Sequence, residues 1–361
     1  MTATPGVSTH GYACASCGAR LEYAPGTTML RCPYCGHEQQ VAQAGRAVQE
    51  HAISELAPLV GKPAATAEYV FTCAKCGAQT TSDALSLQCQ FCGAPLVRQQ
   101  AMPDQVQPEA VLPFAVDKDG VRTALRGWVR SRWFAPGSLK KVSEAEKLKG
   151  TYLPHWTFDA GTRTDYTGQR GEHYYTTETY TDSQGRTQTR QVRHTNWYPA
   201  AGTVARDFDD LLVIGTDRVS PEHLEKLEPW PLEEAQPYQP DFLAGYQTLR
   251  YDVAPEAALD TAKVRMDKVI RSDCEQDIGG DEQRLHTVDT TYFNVMFKLL
   301  LLPVWIAVYL HGGRSYQVLV NARTAEVIGQ RPYSPLKIAA AVAAALALVA
   351  LIVVLVVVSR N

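Results

Sequence analysis

Eight of the nine cysteines fall in four Cys-x-x-Cys pairs within the first hundred residues, a spacing typical of metal binding. The first set is Cys14, Cys17, Cys32 and Cys35, and the second set is Cys73, Cys76, Cys89 and Cys92. A glycine follows the second cysteine of each pair, and its access to positive φ lets backbone N–H groups turn toward the sulfurs. Four thiolates satisfy one tetrahedral zinc, so the sequence predicts two zinc ribbons holding two zinc ions.

The alternative interpretation of these pairs is redox chemistry, but a redox Cys-x-x-Cys is not normally duplicated in a ribbon pattern. A catalytic zinc keeps one coordination position open for water, and four cysteines leave none. Three nearby histidines are not needed as ligands, because each set already supplies four thiolates: His10, His37 and His51. Both metals are therefore predicted to be structural, and metal binding and folding of each ribbon should be one event.

The distribution of charge indicates which class of partner the ribbons bind. The whole chain has a formal net charge of −3, and residues 1–100 contain six basic and six acidic side chains. Each zinc held by four thiolates would add about two negative charges to this balanced region. Nucleic-acid binders concentrate Lys and Arg where they touch phosphate. The ribbons are therefore expected to bind proteins in preference to nucleic acid.

Around these sites the chain divides into several segments. They are zinc ribbon 1 (1–40), a helical spacer (41–66), zinc ribbon 2 (67–100), a linker (101–110), an α+β domain (111–335) and an apolar C-terminal segment (338–358). The spacer is predicted from apolar residues at helical spacing between 38 and 57. Its apolar stripe either packs on a ribbon or binds a partner.

The larger domain is predicted to be α+β with an antiparallel sheet. Helical spacing covers residues 118–134 and 255–276, and Thr, Tyr and Arg alternate over long strands from 152 to 214 with a turn at 182–186. Strands return from 284 to 328. The apolar run at 299–310 is only twelve residues long and contains a proline, so it is predicted as core strand and not as a membrane span.

Residues 338–358 are twenty-one consecutive apolar residues, which predicts one transmembrane helix. The N-terminus has neither a basic stretch nor an apolar run, so no secretory signal is visible. Cysteine pairs that bind metal need a reducing compartment. Together these patterns predict a tail-anchored, single-pass protein of the cytoplasmic (inner) membrane, with the bulk of the chain in the cytoplasm.

Catalysis has little support in the sequence. Residues that could form a metal or acid–base site occur in the middle of the chain, namely Asp207, Asp209, Asp210, His155, His173 and His194. Their spacing matches no hydrolase, zinc-protease or phosphate-loop motif. Cys274 shares a helical face with Met266 and Ile270, which indicates a buried core thiol. The protein is therefore predicted not to be an enzyme, with no catalytic residue.

Several motifs resemble a bacterial family of membrane-anchored double zinc-ribbon proteins. They are the two ribbons and the stretches at 149–156, 208–213, 278–281, 302–305 and 331–335. Members of this family are often labelled as related to the primosomal helicase, although this chain contains no motor motif. One branch is similar to an envelope-stress factor that helps hold phage shock protein A at the membrane.

The resemblance implies a recruiting platform whose zinc ligands are the eight paired cysteines. The leading hypothesis is therefore a membrane-tethered adaptor that recruits cytosolic or membrane protein partners, such as a phage-shock-protein-A-like protein, in envelope stress. The first alternative is nucleic-acid binding through the ribbons. The second is ligand binding or hydrolysis in residues 111–335.

Overall fold

The secondary structure is mostly β-sheet. The computed structural model describes residues 6–7, 12–41, 45–56, 69–73, 79–82, 84–89, 95–97, 106–132, 148–181, 183–311, 314–329 and 334–360. The N-terminal strands are β1 (Gly6–Val7), β2 (Glu22–Tyr23), β3 (Met29–Arg31), β4 (Glu38–Gln40), β5 (His51–Ala52), β6 (Tyr69–Thr72), β7 (Gln79–Ser82), β8 (Ser86–Gln88) and β9 (Pro95–Val97). The later strands are β10 (Ala110–Val111), β11 (Lys149–Thr181), β12 (Thr187–Ile214), β13 (Gln236–Pro237), β14 (Gln247–Thr248), β15 (Glu282–His311), β16 (Arg314–Asn321) and β17 (Val327–Gly329). The α-helices within these residues are α1 (Lys118–Arg130), α2 (Pro221–Glu225), α3 (Pro255–Ile278) and α4 (Pro335–Arg360).

Three very long antiparallel strands form the centre of the molecule. Strand β11 lies between β12 and β15, pairing with β12 as far as Thr181 and with β15 as far as Gly171. Strand β15 continues the sheet through β16 to β17. The alternation of Thr and Tyr along β11 suits a pleated surface. The predicted strands of residues 152–214, the described residues 183–186 of their turn and the core strand at 299–310 are confirmed.

Helix α3 covers one face of the long strands. Its buried residues recur every four positions: Ala258, Ala262, Met266, Ile270, Cys274 and Ile278. That period places them on one side of the helix, where they pack with Trp156 and Phe158 of β11. The Cys274 side chain is fully buried, which confirms the predicted core thiol.

The first ribbon is part of the main core. Strands β2, β3 and β4 form its small sheet. The Tyr23 N–H donates to the Ala244 carbonyl at 2.9 Å, and the Gly26 N–H donates to the Phe114 carbonyl at 2.8 Å. Tyr23 also belongs to the same apolar cluster as Phe114 and Trp305. The ribbon and the long sheet therefore share buried apolar surface.

The predicted spacer helix is not found in the described residues 45–56. This stretch contains β5, which pairs with Met296 and Phe297 of β15, followed by a 3-10 turn at Ile53–Leu56. Arg46 forms an ion pair with Glu109, and His51 Nε2 lies 3.6 Å from the same carboxylate, so both contacts tie the segment to the start of β10. Helical spacing was misleading because tertiary strand pairing outweighs local propensity.

The apolar C-terminal segment lies within helix α4. Among the residues that the structure describes, no helix combines the length and apolar content that crossing a membrane requires. This finding overturns the predicted transmembrane helix at 338–358, the fold class that included it, and the single-pass inner-membrane localisation.

Candidate metal centre

The first cysteine set forms a compact four-sulfur cluster. The Sγ atoms of Cys14, Cys17, Cys32 and Cys35 all lie within 4.8 Å of one another. Two of the separations are 3.5 Å, between Cys14 and Cys35, and 3.7 Å, between Cys17 and Cys32. A zinc–sulfur bond of about 2.3 Å requires tetrahedral edges of about 3.8 Å. This group can therefore hold a metal ion with little rearrangement.

Two glycine turns shape the cluster. Gly18 has φ of +69° and Gly36 has φ of +75°. Their N–H groups donate to the carbonyls of Cys14 at 2.8 Å and Cys32 at 3.0 Å, which closes each Cys-x-x-Cys turn. A Cβ at either glycine would meet nothing within 4 Å. Backbone conformation, and not lack of space, is therefore the reason for glycine at both positions.

Backbone dipoles favour thiolates in this cluster. The backbone N–H of Cys35 lowers the pKa of Cys32 to about 7, against burial, which raises it, and Tyr34 N–H adds to the lowering. Burial also raises the pKa of Cys14, but the N–H groups of Cys17 and Ser16 outweigh it, and the net pKa is lowered. A thiolate is the form that binds metal. The turns therefore favour the thiolates of Cys14 and Cys32. The His37 N–H also lowers the pKa of Cys35, but the hydrogen bond with Cys17 and burial outweigh it and raise that pKa to about 12.

The cluster lies where the ribbon meets the main core. Cys14 and Cys32 are buried, whereas Cys17 and Cys35 are exposed. Four thiolates complete a tetrahedral zinc and leave no position for water, so such a metal cannot activate a nucleophile. Its chemistry would be to cross-link the two turns and neutralise part of the thiolate charge.

The second cysteine set is described only in part. Cys73 and Cys89 are buried beside Phe71 and Leu96 in a small apolar cluster. Cys76 and Cys92 lie outside the described residues. The second zinc site therefore stays a prediction.

A second polar cluster surrounds Lys298. Oxygen atoms of Glu50, Asp159 and Asp209 lie within 4.8 Å of one another. The Lys298 Nζ atom is 2.8 Å from Glu50 Oε1 and 2.5 Å from Asp210 Oδ1, and only 9% of this lysine side chain is exposed. The ammonium group thus compensates for several carboxylates at the sheet surface.

Irregular strand pairing brings these carboxylates together. The pairing of β11 with β12 shifts register next to Asp159, and Asp210 in this bulge has φ of +50°. The pairing of β11 with β15 shifts at the same level, where Asn294 has φ of +51°. The Asp210 N–H donates to Asp159 Oδ1 at 2.6 Å. Bulges re-aim side chains in this way.

The pKa values of Glu50 and Asp159 are shifted in opposite directions. Burial raises the pKa of Asp159 to about 7, and the hydrogen bond from its carboxyl to Glu50 adds to this. The same hydrogen bond lowers the pKa of Glu50, with Lys298 contributing. The cluster can therefore hold one proton near neutral pH. Of the predicted carboxylates, Asp209 and Asp210 reach the cluster, whereas Asp207 pairs with Gly161 further along β12.

Sequence reasoning missed Glu50, Asp159 and Lys298. These residues are far apart in the chain, and only the sheet joins them. The sequence feature that could have indicated this cluster is Lys298, a charged residue at the start of an apolar run whose residues are buried. A buried charge needs a partner, so the lysine could have prompted a search for carboxylates.

The three predicted histidines do not form a shared site. His155 is fully buried, burial lowers its pKa to about 4, and its Nδ1 lies 3.1 Å from the Leu153 carbonyl. The Nε2 atom of His173 is 2.7 Å from Glu282, whereas the His194 ring stacks on Tyr174. Each histidine is thus accounted for by its own local contacts.

A cleft of about 560 Å³ opens where the first ribbon, the β8 hairpin and the long sheet meet. The Tyr246 ring in its wall stacks on Phe114 with centroids 4.0 Å apart. Its lining includes Glu22, Tyr23, Leu87, Asp117, Lys149 and Tyr246. The volume is within the range of ligand sites, of about 300–1,000 Å³.

Comparison with known proteins gives one relative and no family. No family model matches the chain, and no solved structure matches it. Uncharacterized protein YdjG of Bacillus subtilis (strain 168) is 25% identical over 240 residues, which are 64% of this chain and 66% of YdjG. The chain thus spans about two thirds of the length of this relative. The resemblance to double zinc-ribbon proteins stays a prediction.

Proposed function

We propose that this chain is a zinc-stabilised adaptor that binds protein partners and has no catalytic activity of its own. The observation that carries the proposal is the four-cysteine group of the first ribbon, whose inner sulfurs belong to the same core cluster as Phe114 and Trp305. A metal closed by four thiolates stabilises a fold and cannot bind substrate. A protein whose metal would have only a structural role is expected to act through its surfaces.

The cleft beside the first ribbon is the proposed position for a partner segment. Its walls combine the Tyr246 and Trp305 rings with the charged groups of Asp117 and Lys149. Such a mixture of apolar floor and polar rim is typical of protein recognition. A metal held by the first ribbon would support one wall of the cleft, because Glu22 and Tyr23 lie on β2 of that ribbon.

The second cysteine set supports the same proposal. Cys73, Cys76, Cys89 and Cys92 would hold a second structural zinc. The hairpin of β8 and β9 joins the long sheet through β14, and the Ser86 hydroxyl donates to the Tyr246 carbonyl at 2.8 Å. Zinc at this position would therefore stiffen the opposite wall of the cleft.

The partner class follows from charge and from the family resemblance. Residues 1–100 have equal numbers of acidic and basic side chains, and bound zinc would make them anionic. This favours a protein over nucleic acid. The resemblance points to a partner similar to phage shock protein A and to a role in envelope stress.

The test compares zinc-loaded and zinc-free full-length protein. Crosslinking in intact cells would identify partners, and each captured protein would then be purified and titrated against wild type, Cys32→Ser and Cys274→Ser. We expect Cys32→Ser and zinc removal to weaken binding at least tenfold, whereas Cys274→Ser retains it because that thiol is on α3, in a different apolar cluster from the ribbon cysteines. Equal binding by the Cys32→Ser protein would contradict the proposal.

Nucleic acid is tested in parallel. DNA and RNA would be titrated against the zinc-loaded chain at low and moderate salt. Phosphate contacts produce a steep fall in affinity with salt, of about one log unit per contact per decade. Tight binding with such a slope would replace the adaptor proposal with the nucleic-acid alternative.

A further inference from the structure

The hairpin of β11 and β12 projects beyond the rest of the sheet. The last pair between β11 and β15 is Gly171 with Glu282, whereas β11 and β12 remain paired as far as Thr181 with Thr187. Residues 172–181 and 187–196 therefore form a two-stranded projecting hairpin, about 33 Å long at 3.3 Å per residue. Two strands alone are marginally stable in water, and a further strand would stabilise them.

The open edge of β11 can be assigned residue by residue. The Gly171 carbonyl accepts from Asp281 N–H at 2.8 Å, and the His173 N–H donates to Asp281 Oδ2 at 2.7 Å. Both groups face the side on which β15 lies. Backbone groups alternate along a strand, so those of Tyr175, Thr177 and Thr179 face the same side beyond the end of β15. No strand in the described part of the chain pairs with them.

The opposite edge of the hairpin is blunted. Pro199 pairs with Gln169, and its backbone faces the same side of β12 as that of Gln191, away from β11. Because proline has no N–H, the outer edge of β12 lacks a hydrogen-bond donor at this position. Arg186, Arg190 and Arg193 add positive charge along this strand. Proline and repeated cations are devices that prevent edge pairing. Residues 172–181 of β11 contain no proline, lysine or arginine.

The β11 edge is complementary to itself. In an antiparallel pair centred on Thr177, Tyr175 faces Thr179 and Tyr174 faces Tyr180. Glu178 then faces Thr176, so no like charges are opposed within residues 173–181. Aromatic and β-branched cross-strand pairs each stabilise a sheet. Moving the centre to Glu178 would oppose two carboxylates at the axis.

We propose that the projecting hairpin is a homodimerisation element, in which the β11 edges of two copies pair antiparallel about a two-fold axis at Thr177. The two hairpins then form one four-stranded sheet. Three facing residue pairs exchange about six N–H···O bonds across the axis. The contact is isologous, so it closes at two copies and does not propagate. This proposal is independent of the adaptor function.

The first experiment removes one outward N–H. Sedimentation of the full zinc-loaded chain over a range of concentrations should show a monomer–dimer equilibrium. Thr177→Pro should weaken the dimer at least about tenfold, because both copies lose a central donor. Gln191→Pro is the matched control: Gln191 lies directly opposite Thr177, and its N–H faces the other edge of the hairpin. It should leave the dimer unchanged.

The second experiment tests the proposed register with charge substitutions in place of a proline. Thr176→Lys should tighten the dimer several-fold by facing Glu178 of the second copy, and Thr176→Glu should weaken it by a similar factor. Both variants lose the same hydrogen bond between Thr176 and His194. A monomeric wild type, loss of the dimer in Gln191→Pro but not in Thr177→Pro, or equal affinities of the two Thr176 variants would each overturn the proposal.

Discussion

Replacing Cys32 by serine tests the metal centre most directly. Cys32 is buried, and its Sγ lies 3.7 Å from that of Cys17. Serine keeps the size of the side chain but supplies no thiolate, so three sulfurs remain. Because the ribbon packs on the main sheet through Tyr23, loss of the metal should also loosen that contact.

The expected magnitude follows from the sulfur geometry. Edges of 3.5 and 3.7 Å place a central ion about 2.1–2.3 Å from each sulfur, close to the zinc–sulfur bond length. Structural zinc sites bind with about 10–16 kcal/mol at neutral pH. Divided equally among four ligands, this corresponds to about two to three orders of magnitude in affinity for each thiolate. Cys32→Ser should therefore bind zinc about 100–1,000-fold more weakly.

The measurement is a competition titration against a chelator of known zinc affinity, combined with metal analysis of the purified protein. Wild type should contain two zinc ions per chain, Cys32→Ser one after dialysis against the chelator, and Cys274→Ser two. The same titration on Cys89→Ser examines the second set. If Cys32→Ser retained wild-type zinc affinity, the four-thiolate assignment of the first ribbon would be refuted.

Three further predictions concern the sheet. Lys298→Met should lower the free energy of unfolding by about 1–3 kcal/mol in denaturant titrations, because it leaves the half-buried carboxylates of Asp159 and Asp210 without their cation, whereas the exposed control Lys268→Met should change little. Gly150→Ala should cost about 1–3 kcal/mol, because its Cβ would overlap the Tyr246 ring, while Gly127→Ala in α1 has open space and should gain about 0.5–1 kcal/mol. Asp159 has a folded pKa of about 7, above its unfolded value, so its stabilising contribution is complete below about pH 4 and is lost as pH rises through 7. Asp159→Asn should flatten the dependence of the free energy of unfolding on pH between pH 4 and 7, and an unchanged slope would contradict the raised pKa of Asp159.

Local patterns in the sequence were enough to predict several parts of the molecule. Cysteine pairs with a following glycine are short-range geometry, so they located the sulfur cluster of Cys14 and Cys32 before any fold was known. Helical spacing predicted α1 and α3 because each buries one continuous face. Alternation of Thr and Tyr predicted the long strands, since side chains alternate between the two faces of a sheet.

Other features depend on residues that are distant in the chain. The spacing of residues 45–56 suggested a helix, but pairing with β15 and the ion pairs of Glu109 made it a strand. The apolar content of residues 338–358 predicted a membrane span that the described helix α4 does not support. In both cases a local sequence pattern predicted a feature that the described structure does not contain.

The sequence by itself located the four-cysteine group that could hold a metal ion, because its four cysteines and two glycine turns are encoded within about twenty residues. Only the tertiary structure decided what surrounds them. Register shifts on both sides of β11 brought Asp159 to Glu50 and Lys298, and the early end of β15 left the edge of residues 172–181 open. Strand register is set by pairing over the whole sheet, and no local pattern contains that information.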